Sequence, residues 1–204
     1  NGTISARSAL FFVFFSSFAF VATTYFINSL CFYLSPIALI VVLGYSYTKR
    51  FTALCHLVLG LGLGLAPLGA FIAVSGEFAV IPCLLSFAIL FWVAGFDIMY
   101  ALQDDDFDKE HKLHSIPVIL GRKKALSLSK VFHFLTFLIL LVVGLIGPFA
   151  LFYWIGFVIF SSLLIYQHSI IKVDDLSKIG LAFFTTNGVA SVIFGILVVI
   201  DLFL

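Results

Sequence analysis

The chain has 204 residues, of which 63% are hydrophobic and only 10% charged, and its formal net charge is +1. A soluble domain carries roughly 25% charged residues, so an ordinary water-soluble fold is excluded, and no nucleic-acid partner is expected. A mean hydropathy of +1.23 points instead to an all-α, polytopic transmembrane bundle with the lipid bilayer as its solvent.

The opening NGTISARSAL is polar and lacks the form of a signal peptide; it reads as a loop entering a helix, with a preceding part of the protein expected before it. Seven helical spans then follow, at about 8–30, 33–47, 53–74, 79–101, 127–146, 149–169 and 179–201. Most approach the ~20 residues that cross a bilayer core. Ser35-Pro36 marks the second start, Ser75-Gly76-Glu77 follows the third span, and Gly147-Pro148 separates the fifth from the sixth. The run GLGLGLAPLG in the third span lacks the GK[ST] ending of a phosphate loop; Gly60 and Gly64 have the spacing that lets two helices approach closely. Cys31, Cys55 and Cys83 are scattered in apolar surroundings and read as packing thiols. The histidines form no cluster in the sequence and read as packing or interfacial residues.

Seven crossings put all eleven basic residues on one side, from Arg7 through Lys49 and Arg50 to Lys172 and Lys178. The positive-inside rule makes that side cytoplasmic. The one long polar loop, about 102–126, is on the same side and is the expected functional element. It contains most of a stretch, FDIMYALQDDDFDKEHKLHSIP, that holds six of the ten acidic residues: Asp97, Asp104, Asp105, Asp106, Asp108 and Glu110.

If the fourth helix runs on through Asp108, about 100° per residue places Asp97, Asp104 and Asp108 within about 20° of one face. Tyr100 lies on the same side, and Asp106 falls opposite. Carboxylates so placed repel unless a cation sits among them, and hard oxygen ligands suit Mg²⁺. A solvated acidic helix end is the plain alternative. Asp97 argues against it, because a carboxylate inside the apolar run FWVAGFD is costly and usually functional. An EF-hand is excluded, because its sixth and twelfth positions hold Lys109 and Ser115 rather than Gly and Glu.

Asp97-Ile98-Met99-Tyr100-Ala101-Leu102-Gln103-Asp104, then Asp108, then Ser115-Ile116-Pro117, resembles the second Asp-rich motif of the UbiA-type intramembrane prenyltransferases, closest to the 4-hydroxybenzoate polyprenyltransferase branch. Tyr45 to Lys49 resembles that family's YxxxK element, and Asn1 to Ser5 the segment following its first Asp-rich motif. The resemblance covers essentially the whole chain as one transmembrane domain, seven of an expected nine helices, without the first two and without the first motif. It implies transfer of a polyprenyl group from polyprenyl diphosphate to an aromatic acceptor, 4-hydroxybenzoate, in quinone biosynthesis at a bacterial inner membrane, with Mg²⁺ as cofactor. It implies Asp104 and Asp108 as the main metal ligands, and Asp97 at the metal or taking the acceptor's proton. Lys49 and Arg50 would meet the diphosphate, which Tyr45 helps to position, and Tyr100 lines the site. Many members have Gly where this chain has Lys112, which either weakens the helix stop or adds a diphosphate contact. The other readings are another acceptor within the family, a cation transporter using Asp97, or an inactive fragment.

Overall fold

A computed structural model describes residues 4–204; the resemblance carried by Asn1 to Thr3 lies outside the described residues. Seven helices are long and apolar enough to cross a membrane. They are α1 (Ala6–Ile27), α2 (Ser29–Thr48), α3 (Cys55–Ser75), α4 (Val80–Tyr100), α7 (Arg122–Ile146), α8 (Leu151–Ile170) and α9 (Asn187–Phe203), the last preceded by a π-helical turn at Leu181–Thr186. Two short helices, α5 (Asp105–Glu110) and α6 (Ile116–Leu120), occupy the long polar loop. The expected number of membrane-length helices holds.

The centre of the bundle is α4, which packs against α3 on one side and α7 on the other. Small residues permit both approaches. A methyl group at Gly60 or Gly64 would run into the backbone carbonyl of Leu90 or Ser86 on α4, and one at Gly95 would strike the His133 ring on α7. That is the close packing expected of the GxxxG pair. The α4–α7 seam is also hydrogen-bonded: Ser129 Oγ donates to the Gly95 carbonyl at 2.6 Å and Thr136 Oγ1 to the Ala88 carbonyl at 3.2 Å. By contrast, α1 buries only Thr24, and its Phe-rich surface suits lipid contact.

The structure corrects one expectation. Helix α4 does not continue through Asp108; it ends at Tyr100, passes through a 3₁₀ turn at Ala101–Gln103, and the chain restarts as α5 after Asp104. Helix dipoles account for this. Carboxylates near the C-terminal end of α4 would face its negative pole, whereas a restart puts Asp105, Asp106 and Asp108 in the first turn of α5, at the positive pole. Helix α7 begins at Arg122, five residues earlier than the predicted 127, because the Arg122 guanidinium reaches Asp105, at 2.7 and 3.0 Å.

Candidate active site

A cavity of about 290 Å³ opens at the basic end of the bundle, between the end of α2, the start of α3 and the end of α4. Tyr45, Lys49, His56, Asp97, Tyr100 and Asp104 line it. Three residues expected at the site do not: Asp108 is wholly buried beside Lys49 Nζ and is absent from the cavity wall. Arg50 lies over the Tyr47 ring, 5.6 Å from its centroid, and Lys112 is exposed on the loop; neither lines the cavity.

The three expected carboxylates have three different surroundings. Asp104 is exposed at the cavity. Asp108 is wholly buried, with Lys49 Nζ 2.8 Å from its Oδ1, and its Oδ2 has no hydrogen-bond partner. Asp97 is partly buried and receives a 2.6 Å hydrogen bond from His56. The Ile116 backbone N–H donates to His56 Nε2 at 3.3 Å. That nitrogen must therefore hold a lone pair, so the ring proton resides on Nδ1 and points at Asp97. The pair joins residues 41 positions apart, so no local pattern distinguishes His56 from a packing histidine.

Backbone contacts tie the loop to the cavity wall. The His114 N–H donates to the Lys49 carbonyl at 2.7 Å, and the Leu113 N–H to the Asp108 carbonyl at 2.8 Å. The second bond is the closing bond of a Schellman motif that ends α5. Lys112 holds the left-handed position of that motif, at φ 54°, where glycine is favoured. Its side chain contributes no cavity wall, and its backbone carries the strain of the helix stop.

Asp105 belongs to the scaffold. It is 3% exposed and paired with Arg122 and Lys109. The Arg122 hydrogen bonds hold its carboxyl below the ordinary carboxylate range, against the opposing effect of burial. Asp106 is 84% exposed and pairs loosely with Lys109. The π-helical turn before α9 sets Phe183 against Tyr100, with ring centroids 4.2 Å apart, and so backs one wall of the cavity. Such turns often occur at functional sites, and nothing in the local sequence marks this one.

Among the described residues no group of three His, Cys, Asp or Glu side chains is gathered as a metal cage. Mg²⁺ does not require one, since it commonly takes one or two carboxylates and fills its shell with water and phosphate oxygens. Asp104 and Asp108 suit that demand. They are one helical turn apart, linked by the Asp108 N–H to Asp104 carbonyl bond at 2.8 Å; one carboxylate is open to the cavity and the other keeps a buried oxygen without a partner.

A bundle of seven apolar helices with a cationic and carboxylate-lined mouth is an integral membrane protein built to handle a polar group at the bilayer edge. Residues 1–189 match the UbiA prenyltransferase family, and the chain belongs to it: it is a membrane prenyltransferase. The chain is 28% identical over 199 residues to a 4-hydroxybenzoate octaprenyltransferase of Francisella tularensis subsp. mediasiatica, covering 98% of this chain and 70% of that protein. It is 30% identical to the Tolumonas auensis protein of the same name, covering 93% of this chain and 66% of that one. Its fold is similar to that of a UbiA homologue from Aeropyrum pernix K1, solved in its apo form, with a TM-score of 0.88, 29% identity, and coverage of 98% of this chain and 74% of that one. A digeranylgeranylglyceryl phosphate synthase, 19% identical, shares the fold at a TM-score of 0.79.

Proposed function

We propose that this protein transfers a polyprenyl group from polyprenyl diphosphate to an aromatic acceptor, 4-hydroxybenzoate, on the route to a membrane quinone. The observation that carries the reading is one cavity where Lys49, the open carboxylate of Asp104 and the His56-supported Asp97 meet. The names of the bacterial relatives support the acceptor. The basic end of the bundle faces the cytoplasm by the positive-inside rule.

In this reading Lys49 pairs with the diphosphate, exchanging part of its contact with Asp108, while Tyr45 and Tyr100 flank the donor. Asp104 and Asp108 would hold Mg²⁺, which when bound would supply positive charge to the leaving diphosphate. The bond between the allylic carbon and the diphosphate oxygen breaks, and that carbon bonds to the ring carbon ortho to the phenol. The ring proton leaves in turn. Asp97, oriented by the His56 Nδ1–H, is the base that takes that proton. Tyr100, backed by Phe183, presents an aromatic face to the developing cation.

The test is transfer of labelled polyprenyl diphosphate to 4-hydroxybenzoate by membranes containing the full-length protein. The expected product is the ring-prenylated acid, formed only with a divalent cation and lost in Asp104→Asn. Product formation unaffected by chelator would remove the metal from this account. Turnover with a different acceptor alone would remove 4-hydroxybenzoate.

A further inference from the structure

Residues 113–116, between α5 and α6, lie as a strap against the α2–α3 connection. His114 is held on both sides: its N–H donates to the Lys49 carbonyl at 2.7 Å, and its own carbonyl is 3.6 Å from the Cys55 thiol, a weak donor. Ile116 follows. Its side chain is buried in the core between α4 and α7, and its backbone nitrogen is 3.3 Å from His56 Nε2.

The Ile116 N–H has no acceptor within its own helix. It belongs to the first turn of α6, where N–H groups lack an intrahelical partner. Ser115, the N-cap, makes no capping bond with its side chain, and Pro117 has no N–H. The acceptor is instead a side chain on another helix, His56 at the start of α3.

A neutral imidazole has one donor and one acceptor. With Nε2 accepting from Ile116, Nδ1 donates to Asp97 at 2.6 Å. Bonds at both nitrogens fix the plane of the ring as well as its tautomer. Asp97 is 23% exposed, and His56 is its one side-chain partner among the described residues. The direction in which this carboxylate faces the cavity is thus set from the strap, through two hydrogen bonds. His133, the other buried histidine, has no such part: its Nδ1 meets His168 Nε2 at 2.9 Å, and neither ring lines the cavity.

We infer that the strap is a positioning element for proton removal. The Ile116 N–H and His56 form a relay that aims Asp97 at the acceptor, while the polyprenyl diphosphate site works without it. This rests on the reading of Asp97 as the base. Lys49 stays outside the relay, because its own bond to the strap is made with His114.

Kinetics of the reconstituted full-length protein separate the two steps. Ile116→Pro removes one N–H; proline is favoured in the first turn of a helix, and the extended Ser115 backbone (φ −131°, ψ 160°) accepts a following proline. In this variant kcat with 4-hydroxybenzoate should fall about ten-fold, the worth of one hydrogen bond, with KM for polyprenyl diphosphate unchanged. The rate should also fall further when the ring hydrogens ortho to the phenol are deuterium, an effect absent from the wild type, because loss of the ring proton becomes limiting. Ile116→Val, which trims the side chain and keeps the N–H, should show no isotope effect. His56→Phe should lower kcat about 100-fold, the low end of what a positioned base contributes, with the same isotope effect. His56→Gln, whose amide accepts from Ile116 and donates to Asp97, should restore the rate in part.

A wild-type kcat in Ile116→Pro, or no isotope effect there and in His56→Phe, would overturn the inference. So would a raised KM for polyprenyl diphosphate with kcat unchanged, which would assign the strap to the donor. A wild-type protein that makes no prenylated hydroxybenzoate would remove the functional reading alone, because nitrogen NMR of protein labelled in its histidine rings reads the relay without turnover. The His56 signals, assigned by their loss in His56→Gln, should show a protonated Nδ1 and a bare Nε2, and the Nε2 signal should move in Ile116→Pro. A proton on Nε2 in the wild type, or an Nε2 signal that stays in place in Ile116→Pro, would overturn the relay.

Discussion

The two ends of the bundle use carboxylates in opposite ways. At the far end Asp201 on α9 is 8% exposed and accepts hydrogen bonds from the Ala150 and Phe152 N–H groups at 2.6 and 2.8 Å. It caps α8, whose own N-cap, Ala150, has no side chain to do so, and every part of that carboxylate is committed to holding two helices together. At the basic end the acids divide the labour. Asp105 is committed in the same structural way, to Arg122. Asp104 is left open, Asp97 is bonded by a histidine yet still lines the cavity, and Asp108 has one oxygen unmatched. A carboxylate with all its partners supplied by the fold stabilises the fold, and one with an unmet valence is available for chemistry.

Substitutions should separate the two kinds. The largest effect is expected at the basic end, where Asp104→Asn or Lys49→Ala should lower prenyl transfer by about 100-fold or more, the scale of losing one electrostatic contact to a leaving group. Thermal unfolding in detergent should be little changed for Asp104→Asn. Next comes Arg122→Ala, which strands the Asp105 carboxylate. A fully buried ion pair broken this way costs about 3–5 kcal/mol; Arg122 is 35% exposed, so about 2 kcal/mol is expected, read as a lower melting temperature. The same pair gives a pH dependence. Because the folded Asp105 carboxyl is held below its ordinary value, its contribution is present above about pH 4 and is lost as pH falls through the folded value. Asp105→Asn should flatten that acid limb.

Asp201→Ala leaves two N–H groups without acceptors and should cost about 1–2 kcal/mol, with little change in KM for either substrate. The smallest effect is expected at Lys112→Gly, which relieves a left-handed residue and should raise stability by up to about 1 kcal/mol. A large loss of diphosphate affinity in that variant would restore Lys112 to the site.

Much of this was legible in the sequence because it depends on local pattern. Span number follows from apolar run length, and the shared side of the cations follows from parity of crossings. Gly60 and Gly64 mark a close helix contact through spacing alone, and the structure shows α4 to be the partner. The pairings were not legible. His56 with Asp97, Lys49 with Asp108 and His133 with His168 each join residues from different helices, and no periodicity encodes them. The break at Asp104 was missed for a related reason: a uniform 100° advance ignores the dipole and the pull of Arg122 on Asp105. Lys112 was half-read, since its departure from glycine marked the helix stop that the structure places there.

The most direct measurement compares Asp104→Asn with Asp201→Asn in the reconstituted full-length protein, by initial rate of labelled polyprenyl transfer below the melting temperature of both. The account predicts about 1% of the wild-type rate or less for the first and a nearly unchanged rate for the second. A wild-type rate in Asp104→Asn would contradict it, and the open carboxylate at the basic end would then have no part in the chemistry.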